Sequence, residues 1–273
     1  MATFEEKLLA ASRRNDSLLC VGLDPDPDLM PAGVDVATFN RAIIDATKDL
    51  VCAYKPNLGF YEAQGIDGLR SLEETLAAIP DDVPVIGDAK RGDIGSTDRF
   101  YARAMFEAWG FDAVTVNPYL GTDSIEPFTD YVDRGVLILC RTSASGSADL
   151  QSLIVDSPHG RVPLYEAVAL KALDWNRNGN VGLVVGATAP DELEKVRGLC
   201  PDMTILVPGV GAQGADLTEA VTLGADAGGE RVIVNSSRGV TYASRGPDFA
   251  DAARRAALEL RDRMRLALTE RAG

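Results

Sequence analysis

The stretch Val83–Thr97, VPVIGDAKRGDIGST, sets the reading of the whole chain. It opens as a short apolar run, turns charged at Asp88-Ala89-Lys90-Arg91-Gly92-Asp93, and then passes into helical spacing. Ser96 can cap that helix, Tyr101, Met105 and Trp109 fall on one face of it, and Gly110 can end it. An apolar strand, a polar turn and an amphipathic helix make one β/α unit.

The same unit recurs on both sides. Upstream are LLCVGLD from Leu18 and VCAYKPN from Val51. Downstream are AVTVNPY from Ala113, GVLILCRTS from Gly135, VGLVVGAT from Val181, TILVPGVG from Thr204 and RVIVNSSRG from Arg231. Nearly continuous Val, Ile and Leu is what strands covered on both faces require. Eight alternations without a linker-like change of composition predict an α/β fold, a closed (β/α)8 TIM barrel forming one domain over residues 1–273. An open doubly wound sheet is the rival arrangement. The opening MATFEEKLLAASRRND predicts a helix before the first strand, with Phe4, Leu8 and Leu9 on one side. The last segment sets Ala253, Ala257, Leu260, Met264 and Leu268 at helical spacing.

Composition narrows the function. The length of 273 residues is close to the ~250 typical of such barrels. No apolar run approaches the ~20 residues of a membrane span. The acidic residues and missing apolar core of the N-terminal stretch argue against a signal peptide, so the expected location is the cytoplasm. A net charge of −14 argues against nucleic acid as a partner, because phosphate backbones select basic surfaces. A small anion remains compatible, since a few cations gathered in a cleft make a local positive field. Three of the four cysteines (Cys20, Cys52, Cys140, Cys200) lie in apolar strand-like runs, where cysteine acts as a small hydrophobe. With no CxxC and His159 the single histidine, no zinc site of familiar spacing is expected.

The segment from Ser143 to about Pro163 breaks the regularity, being polar and rich in Ser, Gly and Asp. Loops this long are usually functional or mobile. Its first part is expected to close over a ligand, and its distal half around His159 reads equally well as a surface excursion.

Polar groups cluster at the C-terminal ends of the strands, where barrel enzymes keep their active sites. Asp24 ends the first strand, Lys55 the second, and Asp88, Lys90 and Asp93 follow the third. Alternation along a strand puts Asp88 and Lys90 on one side, with Asp93 on the next turn. Two carboxylates flanking an ammonium can hold Lys90 charged, and they would repel an anionic group placed against them. A salt-bridged loop start would read the same way. After the seventh strand come Pro208, Gly209, Gly211, Gln213 and Gly214, and Arg238 follows the eighth. Loops in these two positions frequently bind phosphate through backbone N–H groups, to which Gln213 and Arg238 can add donors.

With DAKRGDIGST, KPN at Lys55–Asn57, PGVGAQG and NSSRG, the chain resembles the orotidine 5′-monophosphate decarboxylase family, and more particularly its longer bacterial subgroup. The likeness runs from the first strand to the final helix. It implies decarboxylation of orotidine 5′-monophosphate to uridine 5′-monophosphate without a cofactor or metal. Carried over by position, it makes Lys55, Asp88, Lys90 and Asp93 an alternating charged network with Lys90 the proton donor. Asp24 and Lys55 become ribose-binding groups, and Ser143 contacts the pyrimidine. Gln213 and Arg238 become the phosphate grip, with Pro208 and Gly211 on the same substrate-binding surface. Asp93 and Thr97 match residues that reach into a neighbouring subunit, which implies a homodimer. Arg141–Gly146 departs from the family, which more often has lysine first and proline before the glycine.

Other chemistry fits parts of the pattern. A metal-dependent sugar-phosphate decarboxylase or aldolase shares D-x-K-x-x-D but would want an acidic ligand where Lys55 stands. A Schiff-base aldolase needs a lysine of lowered pKa, whereas the aspartates here favour a charged one. A barrel that binds ligand without catalysis has no need of the network.

Overall fold

Each of the eight apolar runs becomes a strand, and the strands close into a ring. The computed structural model describes residues 2–210 and 216–272. The barrel strands are β1 (Leu19–Leu23), β2 (Ala53–Pro56), β3 (Ile86–Arg91), β4 (Ala113–Val116), β5 (Gly135–Arg141), β8 (Val181–Val185), β9 (Ile205–Pro208) and β10 (Val232–Ser236). Two further strands, β6 (Ile154–Ser157) and β7 (Gly160–Pro163), form a separate hairpin. All pairings in the large sheet are parallel, in the order β2-β1-β10-β9-β8-β5-β4-β3. Bridges Tyr54–Val85 and Asn57–Asp88 join its two ends. Neighbours therefore follow chain order all the way round, with none of the order reversal that marks a doubly wound sheet.

The interior explains the strand composition. One buried cluster takes a residue from every barrel strand: Cys20, Ala53, Ile86, Ala113, Leu137, Val184, Leu206 and Ile233. Alternate residues face outward, where Val21, Leu23, Val114, Val136, Ile138, Val207 and Val234 pack in the larger cluster beneath the helices. The N-terminal helix Phe4–Asn15 starts in a capping box between Thr3 and Glu6. It inserts Phe4 and Leu8 into the inner cluster and so closes the N-terminal end of the barrel. Gly135 makes room for the Phe4 ring, because a Cβ there would lie 2.3 Å from it. Full burial of Phe4 contributes on the order of 2 kcal/mol. All four cysteines are free and buried, and burial pushes the Cys20 thiol up to about 12.

Two local expectations are corrected. The helix after β3 spans Gly95–Arg103 with Ile94 at the cap position, and Ser96 does not cap it. Instead the buried Asp98 carboxylate accepts the Asp93 amide at 2.7 Å, which ties the turn to the helix from inside. That helix runs on through a π-helical turn, Ala104–Ala108, and ends at Gly110 with φ +71°. The polar segment after β5 is not a bare loop. It holds a short helix, Ala148–Gln151, and the β6–β7 hairpin turned at Pro158-His159, with Gly160 at φ +97°. Two four-residue strands among serines and glycines are too short to show a period against that composition.

Candidate active site

A cavity of about 440 Å³ opens at the C-terminal ends of the strands. Asp24, Lys55, Asp88, Ser143, Pro208 and Arg238 all line it, as do Asn57, Asn235, Ser237 and Tyr242. Six sequence-predicted positions from six βα units thus converge. Close approach of the chain makes this possible at two points. Gly22 leaves the space taken by the Ser237 side chain, where a Cβ would meet Oγ at 1.9 Å. Gly186 does the same for Ser143, whose backbone nitrogen would lie 2.6 Å from a Cβ.

The floor is set by Lys55 and Asp88, and Lys90 joins them through Asp88 without lining the cavity itself. Lys55 Nζ donates to Asp88 Oδ2 at 2.7 Å, and Lys90 Nζ donates to Asp88 Oδ1 at 2.5 Å. The Lys55 and Asp88 side chains keep only 4% and 9% of their exposure, whereas Lys90 keeps 49%. Burial alone would lower the Lys55 pKa, but Asp88 and Asp24 outweigh it and hold the ammonium above its ordinary range. Burial likewise would raise Asp88, and Lys55 with Lys90 reverses the sign, holding the carboxyl well below the usual carboxylate range. Lys55 and Asp88 are therefore both ionised throughout the neutral range.

Asp88 and Lys90 meet as expected, but not through regular alternation. Lys90 sits in the left-handed region at φ +48°, and the β3–β4 register shifts between Gly87 and Arg91. Asp93 does not flank Lys90 within the chain. Its Oδ1 accepts the Ile94 amide, and neither Asp93 nor Thr97 lines the cavity. Thr97 lies in the first turn of the Gly95–Arg103 helix. Gly211, Gln213 and Gly214 fall outside the described residues. Beside that segment Gly209 stands at φ +97° and lines the cavity, and Arg238 opens the short helix Arg238–Thr241. Arg238 lines the cavity mouth, and its planar guanidinium carries five donors suited to an anion.

Several contributors escaped the sequence reading. Tyr242 donates its hydroxyl to the Asp24 carbonyl at 2.8 Å and accepts the Asp26 amide at 2.6 Å, and burial pushes its phenol up to about 12. It pins the loop after β1 from a position more than two hundred residues away, so no local signal existed. Asn235 lies in the quoted NSSRG run but was not singled out. It is buried on the cavity wall, and its Oδ1, like Oδ1 of Asp24, has no partner among the described residues. Thr115 on β4 donates to Asp88 Oδ1 at 2.9 Å. Among the described residues no group of three His, Cys, Asp or Glu side chains is arranged to hold a metal.

A parallel barrel with a buried lysine–aspartate pair and a second, half-exposed lysine on the same aspartate at its strand ends, and an arginine at the mouth after its last strand, defines a barrel enzyme built to receive a charged, anion-bearing small molecule. Residues 17–255 match the orotidine 5′-phosphate decarboxylase / HUMPS family, and the chain belongs to it. The chain is 52% identical over 259 residues to orotidine 5′-phosphate decarboxylase of Dehalococcoides mccartyi, covering 95% of this chain and 96% of that protein. It is 55% identical over 271 residues to the enzyme of the same name from Roseiflexus castenholzii, covering 97% and 98%. The solved structure of Leishmania donovani OMP decarboxylase superposes with a TM-score of 0.83 at 40% identity, covering 97% of this chain and 99% of that one.

Proposed function

We propose that the protein decarboxylates orotidine 5′-monophosphate to uridine 5′-monophosphate and CO2, the last step of de novo pyrimidine nucleotide synthesis. The buried, charged Lys55–Asp88 pair at the cavity floor, with the half-exposed Lys90 joined to the same aspartate, is the observation that carries the reading. The family membership and the relatives above support the same conclusion. Loss of CO2 breaks the bond at C6 and leaves its electron pair in an in-plane orbital that the ring cannot delocalise. Charge localised in this way calls for electrostatic stabilisation in a dry, preorganised site, and the Lys90 ammonium supplies it. Lys90 then gives its proton to C6 and regains one from solvent. The scheme requires neither cofactor nor metal.

The remaining roles follow the cavity wall. Asp24 and Lys55 take the ribose hydroxyls, Ser143 and Pro208 the base, and Arg238 with Gln213 and the Gly211 backbone the phosphate. Phosphate binding also closes the site, so its binding energy offsets the cost of setting charges against the ring. The working form is a homodimer in which Asp93 and Thr97 reach into the neighbouring copy's cavity. Ile94 and Phe100, 60% and 72% exposed in the same turn and helix as these two residues, support such a contact. The expected location is the cytoplasm, and no helix among the described residues is long and apolar enough to cross a membrane.

The test is loss of orotidine 5′-monophosphate absorbance with purified protein in EDTA, beside Lys90→Ala. Turnover by the parent and none by the variant is the expected result. A folded parent that is inactive in EDTA but active with a divalent metal on sugar phosphates would transfer the site to the metal-dependent alternative, which Lys55 at the second strand end disfavours.

A further inference from the structure

The β3–β4 edge contains a hydroxyl that the roles above leave unused. Pairing is regular at Ile86–Ala113 and Gly87–Val114, then slips and resumes at Arg91–Val116. The slack falls at Asp88-Ala89-Lys90, and Lys90 takes up a left-handed backbone that L residues disfavour. Opposite the slip stands Thr115, 1% exposed. Its Oγ1 accepts the Lys90 amide at 3.0 Å and donates to Asp88 Oδ1 at 2.9 Å. The same Asp88 oxygen receives Lys90 Nζ at 2.5 Å.

One hydroxyl thus replaces the ladder bond that the bulge removes and joins both ends of the Lys90 residue to one carboxylate oxygen. The direction of each bond is forced, because the amide can only donate and the ionised carboxylate can only accept. A hydroxyl is the smallest group that satisfies both at once. Valine would fill the space but leave the buried amide unpaired, and serine would keep both bonds.

We propose that Thr115 is a positioning residue for the decarboxylation: its hydroxyl locks the backbone turn at Lys90 and orients Asp88, so that the ammonium is already aimed when substrate arrives. The proposal rests on the decarboxylase reading of the site and adds a residue on β4 to it.

The experiment compares the parent with Thr115→Val and Thr115→Ser in kcat, KM and thermal unfolding. A misaimed catalytic group costs about 10²-fold in rate, and Thr115→Val is expected to lose kcat on that scale with KM little changed. Thr115→Ser should restore most of the rate. Should the valine variant not fold, Thr115→Ala carries the same expectation. A valine or alanine variant with the parent's kcat, equal losses in that variant and Thr115→Ser, or a loss that falls on KM with kcat unchanged would each overturn the proposal. A parent that does not turn over orotidine 5′-monophosphate is a separate result: it removes the decarboxylase reading, and this inference with it.

Discussion

Two clusters, each an aspartate between two cationic side chains, sit at opposite ends of this barrel. At the N-terminal end Asp112 accepts Lys7 Nζ at 2.8 Å and lies 3.8 Å from Arg134, and it also accepts the Val85 amide. At the C-terminal end Asp88 accepts Lys55 and Lys90. The lower side chains retain 16–23% of their exposure, so water still solvates them. The upper pair is almost dry. Partly hydrated ion pairs are worth up to ~1 kcal/mol, and here they stitch the N-terminal helix to the β3–β4 edge. A buried pair is poor value for stability, since replacing it with apolar residues is often neutral or better. Charges kept dry at the cavity floor therefore point to chemistry, while a similar arrangement of charges at the wetter end needs only a structural account.

The contrast can be broken by substitution, and the largest effect is expected at Lys90. Lys90→Ala removes both the electrostatic partner and the proton donor, and should lower kcat by ~10⁴-fold or more. Because Lys90 is half exposed, its melting temperature should stay near the parent's. A variant that unfolds instead would make the upper cluster structural as well.

Asp88→Asn tests the burial difference. It strands the Lys55 ammonium without a counter-charge and should cost ~3–5 kcal/mol in urea unfolding. Asp112→Asn, at the wetter end, should cost about 1–2 kcal/mol. Equal losses would erase the distinction. The pH dependence follows from the direction of each shift. Asp88 is held below its unfolded value of about 3.9, so its contribution is complete above that pH and is lost as pH falls toward the folded value. Lys55 is held above its unfolded value of about 10.4, so its contribution is complete below that pH and is lost as pH rises further. Acid titration of parent and Asp88→Asn should differ below about pH 4 by the loss of this component.

Arg238→Ala sharpens the link between the cavity mouth and its floor. If phosphate binding energy is spent on closure, kcat should fall together with affinity, each by roughly tenfold or more. A raised KM at the parent's kcat would separate the two. The smallest effect belongs to Lys7→Ala, expected to lose no more than ~1 kcal/mol and to keep the parent's kcat. Any rate loss there would mean that the two ends communicate.

Much of the fold was legible because each barrel strand is buried on both faces and must be apolar almost without interruption, as VGLVV and VIVNS show. The strand-end polar residues Asp24, Lys55, Asp88, Ser143 and Arg238 were legible for the complementary reason, as breaks in that apolarity. The missed elements had no such contrast. Ser96 looked like a cap, but Asp98 holds the turn from inside. The β6–β7 hairpin was masked by polar composition. Asp93 and Thr97 stand away from the cavity of their own chain, and no pattern along one chain says where a second copy sits.

Local composition, which needs only a residue and its near neighbours, determined the eight strand runs, their alternation with helices and the identity of the charged groups at the strand ends. Tertiary structure decided which of those groups touch. The ring closure at Tyr54–Val85, the clamp of Tyr242 on the loop after β1, and the slip that brings Lys90, Asp88 and Thr115 onto one oxygen all join segments distant in the chain. Such contacts depend on register and on the volume each side chain finds. Both are settled only when the barrel closes and every buried donor must find its acceptor.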